Sequence, residues 1–468
     1  MPARPILVGG TASHVGKSWM AAAICRHVRR RGFRVAPFKA QNMSNNSYPC
    51  REGGEIGRAQ VVQAEACGLA PAPDMNPILL KPNADSNCQV VVNGKAWRNL
   101  DARAYYDHFD FLLGQALEAY QRLACKYEYI VIEGAGSIAE LNLRSRDLVN
   151  LGLATRIGAP VLLVADIDRG GVFASIVGTL ALLEPAEAAL VRSFAVNRFR
   201  GDPSLFEDGV RILEEKAARR CLGVFPFARD VRIDEEDGVY LEEAVRAARR
   251  PSAIAIIRFP RISNLTDFRL LPDARWIEAP VEDRFEWVIL PGTKSTIADL
   301  DWLRAQGLDE WLVRQKAAGA RILGICGGYQ MLGERVEDPD AVESAAGARD
   351  GLGLLPVRTV LRRVKTTEVV EAVTPQGRRF RAYEIHMGET LRPAGCAPFA
   401  LVASGDEGIR SGGSVGTYLH GALEDRGVLE ELLGRPVAAA PPKEEMYERL
   451  GDWFERHADL GLFEELYL

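Results

Sequence analysis

Short apolar runs rich in Val and Ile recur along the chain and alternate with stretches whose apolar residues fall three or four apart. Ile6–Gly9, Arg34–Phe38, Tyr129–Glu133, Pro160–Asp166 and Arg192–Asn197 read as strands buried on both faces. Between them, Tyr105, Phe109, Leu112, Leu113, Ala116 and Tyr120 fall on one helix face. Strand–helix alternation of this kind predicts a mostly parallel sheet with helices on both faces. A second series opens at Ala253–Phe259 and continues through Phe285–Leu290, Arg321–Ile325, Tyr383–His386 and Val415–His420. The charge-dense stretch between the two series, closing on Arg249-Arg250-Pro251, predicts a linker over 231–251. The expected architecture is two α/β domains, 1–230 and 252–468.

Composition narrows the function classes. The 468 residues are 47% apolar and 26% charged, ample for two cores. With 58 basic against 63 acidic residues the net charge is −5, which lacks the basic excess of a nucleic-acid binder. No run approaches the ~18 apolar residues of a membrane span, and the apolar start is too short for a signal peptide. A cytoplasmic protein without membrane anchoring is expected, and a homo-oligomer stays open. The eight cysteines are scattered, with neither a C-x-x-C pair nor metal-site spacing.

Two segments carry chemistry. Gly10-Thr11-Ala12-Ser13-His14-Val15-Gly16-Lys17-Ser18 follows the first strand and opens a helix expected to reach about Arg31. Such a loop offers successive backbone N–H groups, a helix N-terminus and a lysine to the phosphates of ATP, and a hydroxyl to Mg²⁺. Gly10, Thr11, Gly16, Lys17 and Ser18 are therefore candidate ATP residues. Five residues rather than four separate the two glycines. Glu133, at a strand end before Gly134-Ala135-Gly136, is a second candidate Mg²⁺ ligand beside Ser18. Other polar strand or loop ends supply Asn197 as a candidate for ATP, and Lys39, Lys81, Asp166 and Arg169 for an acidic substrate.

The second segment, Arg321–Gly333, reads as strand, sharp turn and helix with Cys326 at the corner, between Ile325 and Gly327-Gly328. A cysteine there is exposed to substrate while backbone amides and the helix end favour negative charge. The base comes from six histidines. His14 belongs to the phosphate loop, and His27, His108 and His457 fall on helix surfaces. Of the remaining two, His386 and His420, the second ends a strand before Gly421 and is preferred. Gly292, at another strand end, and Gly327 are candidate oxyanion donors.

The five-residue loop resembles that of dethiobiotin synthetase and its relatives, and Ala12 stands where partitioning ATPases carry an extra lysine. The Cys elbow and following His resemble triad-type class I glutamine amidotransferases. Those enzymes carry an acid two places after the histidine, where this chain has Ala422; Glu424 and Glu384 are weak candidates for the orienting group. Gly10–Ser18, Lys39–Asn46, Met75–Pro82, Ala139–Leu143, Asp166–Gly171, Arg261–Phe268, Gly292–Leu300, Cys326–Gly333 and Tyr383–Gly388 are similar, in order, to the glutamine-hydrolysing cobyrinate amidotransferases. The likeness is to the branch that makes cobyric acid, with the a,c-diamide-forming branch as runner-up and a partitioning-type ATPase as the other alternative. It implies ATP- and glutamine-dependent amidation of carboxylates b, d, e and g of adenosylcobyrinic acid a,c-diamide, a corrinoid, through an acyl phosphate and ammonia released from glutamine.

Overall fold

The computed structural model describes residues 3–82, 87–228, 231, 233–234, 252–343 and 347–468. The linker expected over 231–251 lies, apart from Val231, Ile233 and Asp234, outside the described residues. The first sheet is wholly parallel, in the order Arg220–Pro226, Val191–Phe199, Val161–Asp166, Arg4–Gly10, Tyr129–Glu133, Val35–Phe38. Its central strands carry continuous apolar runs because helices cover both faces. Helix α1 (Lys17–Arg30) covers one face and Phe109–Ala124 the other. The helical pattern around residue 105 is realised as two helices, Ala102–Asp107 and Phe109–Ala124, that meet at His108.

The second parallel sheet runs Arg275–Ile277, Ile254–Ile257, Trp287–Leu290, Arg321–Ile325, Ser414–Thr417, with Ile409–Ser411 added antiparallel at the edge. Tyr383–His386 belongs to a different sheet: it lies within Arg379–Leu391, the antiparallel partner of Arg358–Val373. The expected second-series strand at Val415–His420 stops at Thr417, and His420 instead bridges to Tyr383.

The C-terminal end of the chain leaves the second domain. Lys443–His457 and Leu460–Tyr467 pack against α1, burying Tyr447, Leu450, Phe454 and Phe463 in the first domain's core. His27, expected on a helix surface, is consequently buried, with Nδ1 2.9 Å from Glu455 Oε1. The second domain's expected span, 252–468, thus includes a segment that serves the first.

Candidate active sites

Parallel strands place their C-terminal ends at one edge, and the phosphate loop sits there. Gly16 caps α1 in the left-handed region at φ 94°, and a Cβ would fall 2.2 Å from Asn197 Nδ2. That Asn197 amide donates to Val15 O at 2.8 Å, so Asn197 braces the loop from behind. Thr11 N is already spent on Val164 O at 3.0 Å. Gly10 ends the strand, its carbonyl accepting from Ile138 N at 3.0 Å. Lys17 Nζ donates to Ala12 O and Gly136 O, each at 2.9 Å, which stretches the ammonium across the loop mouth.

Glu133, 1% exposed, collects Ser18 Oγ at 2.8 Å and Lys39 Nζ at 2.7 Å on Oε1. Gln60 and Gln63, from helix α2 (Arg58–Ala66), donate to Oε2. Burial alone would raise this carboxyl's pKa; the Lys39 charge, with hydrogen bonds from Lys39, Ser18 and Gln63, holds it below the usual range. A hydroxyl and an ionised carboxylate are the hard oxygen donors that Mg²⁺ accepts, so these residues fit that ion. Lys39, expected to meet an acidic substrate, is the counter-ion of this carboxylate. Asp166 Oδ1 accepts from Asp168 N at 2.8 Å and its Oδ2 from Arg198 at 3.2 Å, while Arg169 is exposed on the next turn.

At the second elbow, Cys326 takes φ 51° and ψ −109°, a conformation that costs a non-glycine residue of order 1–3 kcal/mol. The strand before it and the Gly327–Leu332 helix after it over-determine the turn: Cys326 N donates to Thr417 O at 2.8 Å and Gln330 N to Cys326 O at 3.0 Å. Gly292 and Gly327 are brought to the same corner. A Cβ on Gly292 would lie 2.8 Å from His420 Cε1, and one on Gly327 would lie 2.6 Å from the Thr293 methyl.

His420 is fully buried, and its Nδ1 lies 2.7 Å from Asp267 Oδ2. Asp267 Oδ1 accepts from Gly421 N at 2.6 Å. Burial pulls the imidazole's pKa down, but the Asp267 charge and hydrogen bond, with a further contribution from Cys326, carry it up to about 10. Asp267 therefore holds the position for which Glu424 and Glu384 were candidates. Glu424 pairs with Arg58, Arg269 and Lys443, and Glu384 with His386 Nε2 at 2.9 Å. Glu424 is thus taken by cations and Glu384 by a neighbouring imidazole. For the glutamine chemistry that the sequence resemblance implies, Asp267→Asn is expected to lower hydrolysis by about 10³-fold or more, since the imidazole loses the partner that fixes its tautomer and charge. Ammonium-driven amidation measured on the same preparation should persist.

A cavity of about 40 Å³, room for a few water-sized molecules, connects Cys326 to the first domain. Asn45, Ser47 and Lys81 form one wall; Asn264, Lys294, Gln330, Glu343 and Lys365 line others. Lys81, expected with the substrate residues, is thus away from the phosphate loop and bound to Ser47 Oγ and Glu55 Oε2, both at 2.8 Å. Burial takes its pKa down to about 7. Burial likewise raises Glu343 to about 7, against the charge of Lys294. Gln330 accepts from Thr296 Oγ1 at 2.8 Å and donates to Tyr418 OH at 3.2 Å.

Residues 6–240 match the model of the CobQ/CobB/MinD/ParA nucleotide binding domain, and 253–428 that of the CobB/CobQ-like glutamine amidotransferase domain. Cobyric acid synthase of Parabacteroides distasonis is 44% identical over 98% of this chain and 97% of its own. That of Sorangium cellulosum is 45% identical over 100% and 99%, and that of Chlorobium phaeobacteroides 44% over 99% of each. The chain belongs to the cobyric acid synthase family. In this cobyric acid synthase family member the two sheets are accordingly a nucleotide-binding domain and a glutamine amidotransferase domain, and the chain is a glutamine-dependent amidating enzyme. Among the described residues no helix is long and apolar enough to cross a membrane.

Proposed function

We propose that this chain makes cobyric acid by amidating carboxylates b, d, e and g of adenosylcobyrinic acid a,c-diamide, using ATP and ammonia released from glutamine. The observation that carries the proposal is the cavity shared by Cys326 and the first domain's Asn45, Ser47 and Lys81. Cys326 attacks the glutamine side-chain amide. His420, oriented by Asp267, takes the thiol proton as the sulfur attacks and gives it to the departing nitrogen. The amides of Gly292 and Gly327 receive the developing oxyanion. Ammonia leaves a thioester, which water cleaves to glutamate and the free thiol. Lys294, Lys365 and Glu343 line the cavity beside Cys326.

In the first domain, Lys17 and the loop amides hold the ATP phosphates. Ser18 and Glu133 would hold Mg²⁺, which neutralises phosphate charge when bound. An acceptor carboxylate oxygen attacks the γ-phosphorus and expels ADP, giving an acyl phosphate; ammonia then displaces inorganic phosphate to leave the amide. The test is to measure glutaminase and ATPase rates with and without the corrinoid polycarboxylate. Both are expected, each rising when the corrinoid is added. A single rate indifferent to the corrinoid would overturn the assignment.

A further inference from the structure

We propose that Asn46 and the segment following it, although part of the nucleotide-binding domain, position the His420–Asp267 pair for glutamine hydrolysis, an inference resting on the reading above. Asp267 sits on a single 3₁₀ turn, Leu265–Phe268, whose cap Asn264 has a left-handed backbone at φ 56°. The buried N–H of Asn264 donates to Asn46 Oδ1 at 2.7 Å, a contact between residues 218 apart in sequence. Asp267 N in turn donates to Asn264 O at 3.2 Å. A shift at Asn264 therefore moves the carboxylate that orients His420.

The same segment supports the other side of the imidazole. The Tyr48 ring packs 4.8 Å from that of Tyr383, which stacks on His420 at 5.4 Å and 22°. The main chains of Tyr383 and His420 exchange two hydrogen bonds of 2.9 Å. Arg58 lies over the Tyr48 ring at 5.2 Å, donates its N–H to Asn46 O at 3.0 Å, and reaches Asp234 at 2.8 Å and Glu424 at 3.5 Å. Arg58 also opens α2, the helix whose Gln60 and Gln63 grip Glu133 beside the phosphate loop. Asn46 and its neighbours thus brace both flanks of the pair, and they are continuous with the helix that touches the ATP site.

Full-length Asn46→Ala and Asn46→Asp enzymes test this. Loss of one positioning hydrogen bond, worth about 1–1.5 kcal/mol, should lower glutaminase kcat about tenfold in Asn46→Ala. The KM for glutamine and the rate of ammonium-driven amidation should stay within about twofold of wild type, because the substrate contacts and the second reaction are untouched. Asn46→Asp keeps the acceptor oxygen and should recover most of the kcat. An unchanged kcat in Asn46→Ala, an equal fall of ammonium-driven amidation, or no recovery in Asn46→Asp would overturn the proposal. A wild-type enzyme without glutaminase activity would defeat the functional reading beneath it instead.

Discussion

Cys326→Ala is expected to abolish glutamine-dependent amidation while leaving amidation driven by high ammonium near the wild-type rate. The sulfur is the nucleophile in the proposed thioester route, and the lost step has no substitute: removing a triad nucleophile costs on the order of 10⁶-fold. The variant should fold. Alanine removes one sulfur from a side chain 6% exposed, and the strained turn is held by backbone hydrogen bonds to Thr417 and Gln330 that do not involve the sulfur. The check is amide formed per minute from each nitrogen source on one preparation. Loss of both activities would mean that the two chemistries are not separable as proposed.

Glu133→Ala is expected to do the converse and more. It removes a candidate Mg²⁺ ligand, so ATP-dependent amidation should vanish with either nitrogen source, by at least about 10³-fold given the weight of charge neutralisation in phosphoryl transfer. It also removes the carboxylate of the buried Lys39–Glu133 ion pair, and breaking such a pair from one side costs about 3–5 kcal/mol. A melting temperature several degrees lower should accompany the loss. Glu133 titrates below the ordinary carboxylate value, so its contribution to stability is present above that value and lost as the pH falls through the depressed one. Acid melting curves of wild type should show a loss that Glu133→Ala lacks.

Much of the nucleotide-binding edge is legible in the sequence because a parallel sheet gathers all its strand ends. Ser18 and Glu133 are 115 residues apart yet meet, since one follows and the other ends adjacent parallel strands. The elbow is legible for the same local reason: strand, Cys, two glycines and helix form within a dozen residues. What local pattern cannot give is the partner of a side chain far away in sequence. Asp267 lies 153 residues before His420, on a polar segment after the strand Ile254–Ile257, and only the strand order of the second parallel sheet brings it to Nδ1. The run Ser263-Asn264-Leu265-Thr266-Asp267 does carry a signal, a polar strand-end segment with an acid. Lys81 reads in sequence as a strand-end lysine suited to an acidic substrate. Its own strand, Ile78–Pro82, belongs to a small separate sheet that points it at Glu55. The return of the C-terminal helices is equally hidden, as their amphipathic faces would suit either core.

The central proposal is that the ammonia used for amidation is the ammonia released from glutamine at Cys326, whose cavity is walled in part by the first domain's Asn45, Ser47 and Lys81, and that it reaches the acyl phosphate without joining the bulk pool. The direct measurement is isotopic: supply glutamine labelled with ¹⁵N at the side-chain amide together with an equal concentration of unlabelled ammonium, and read the label in the amide product by mass spectrometry. Product carrying the label far above its share of the mixed bulk pool is expected. Product labelled only as the bulk pool is labelled would contradict the account, because it would mean that ammonia leaves the protein before it reaches the acyl phosphate.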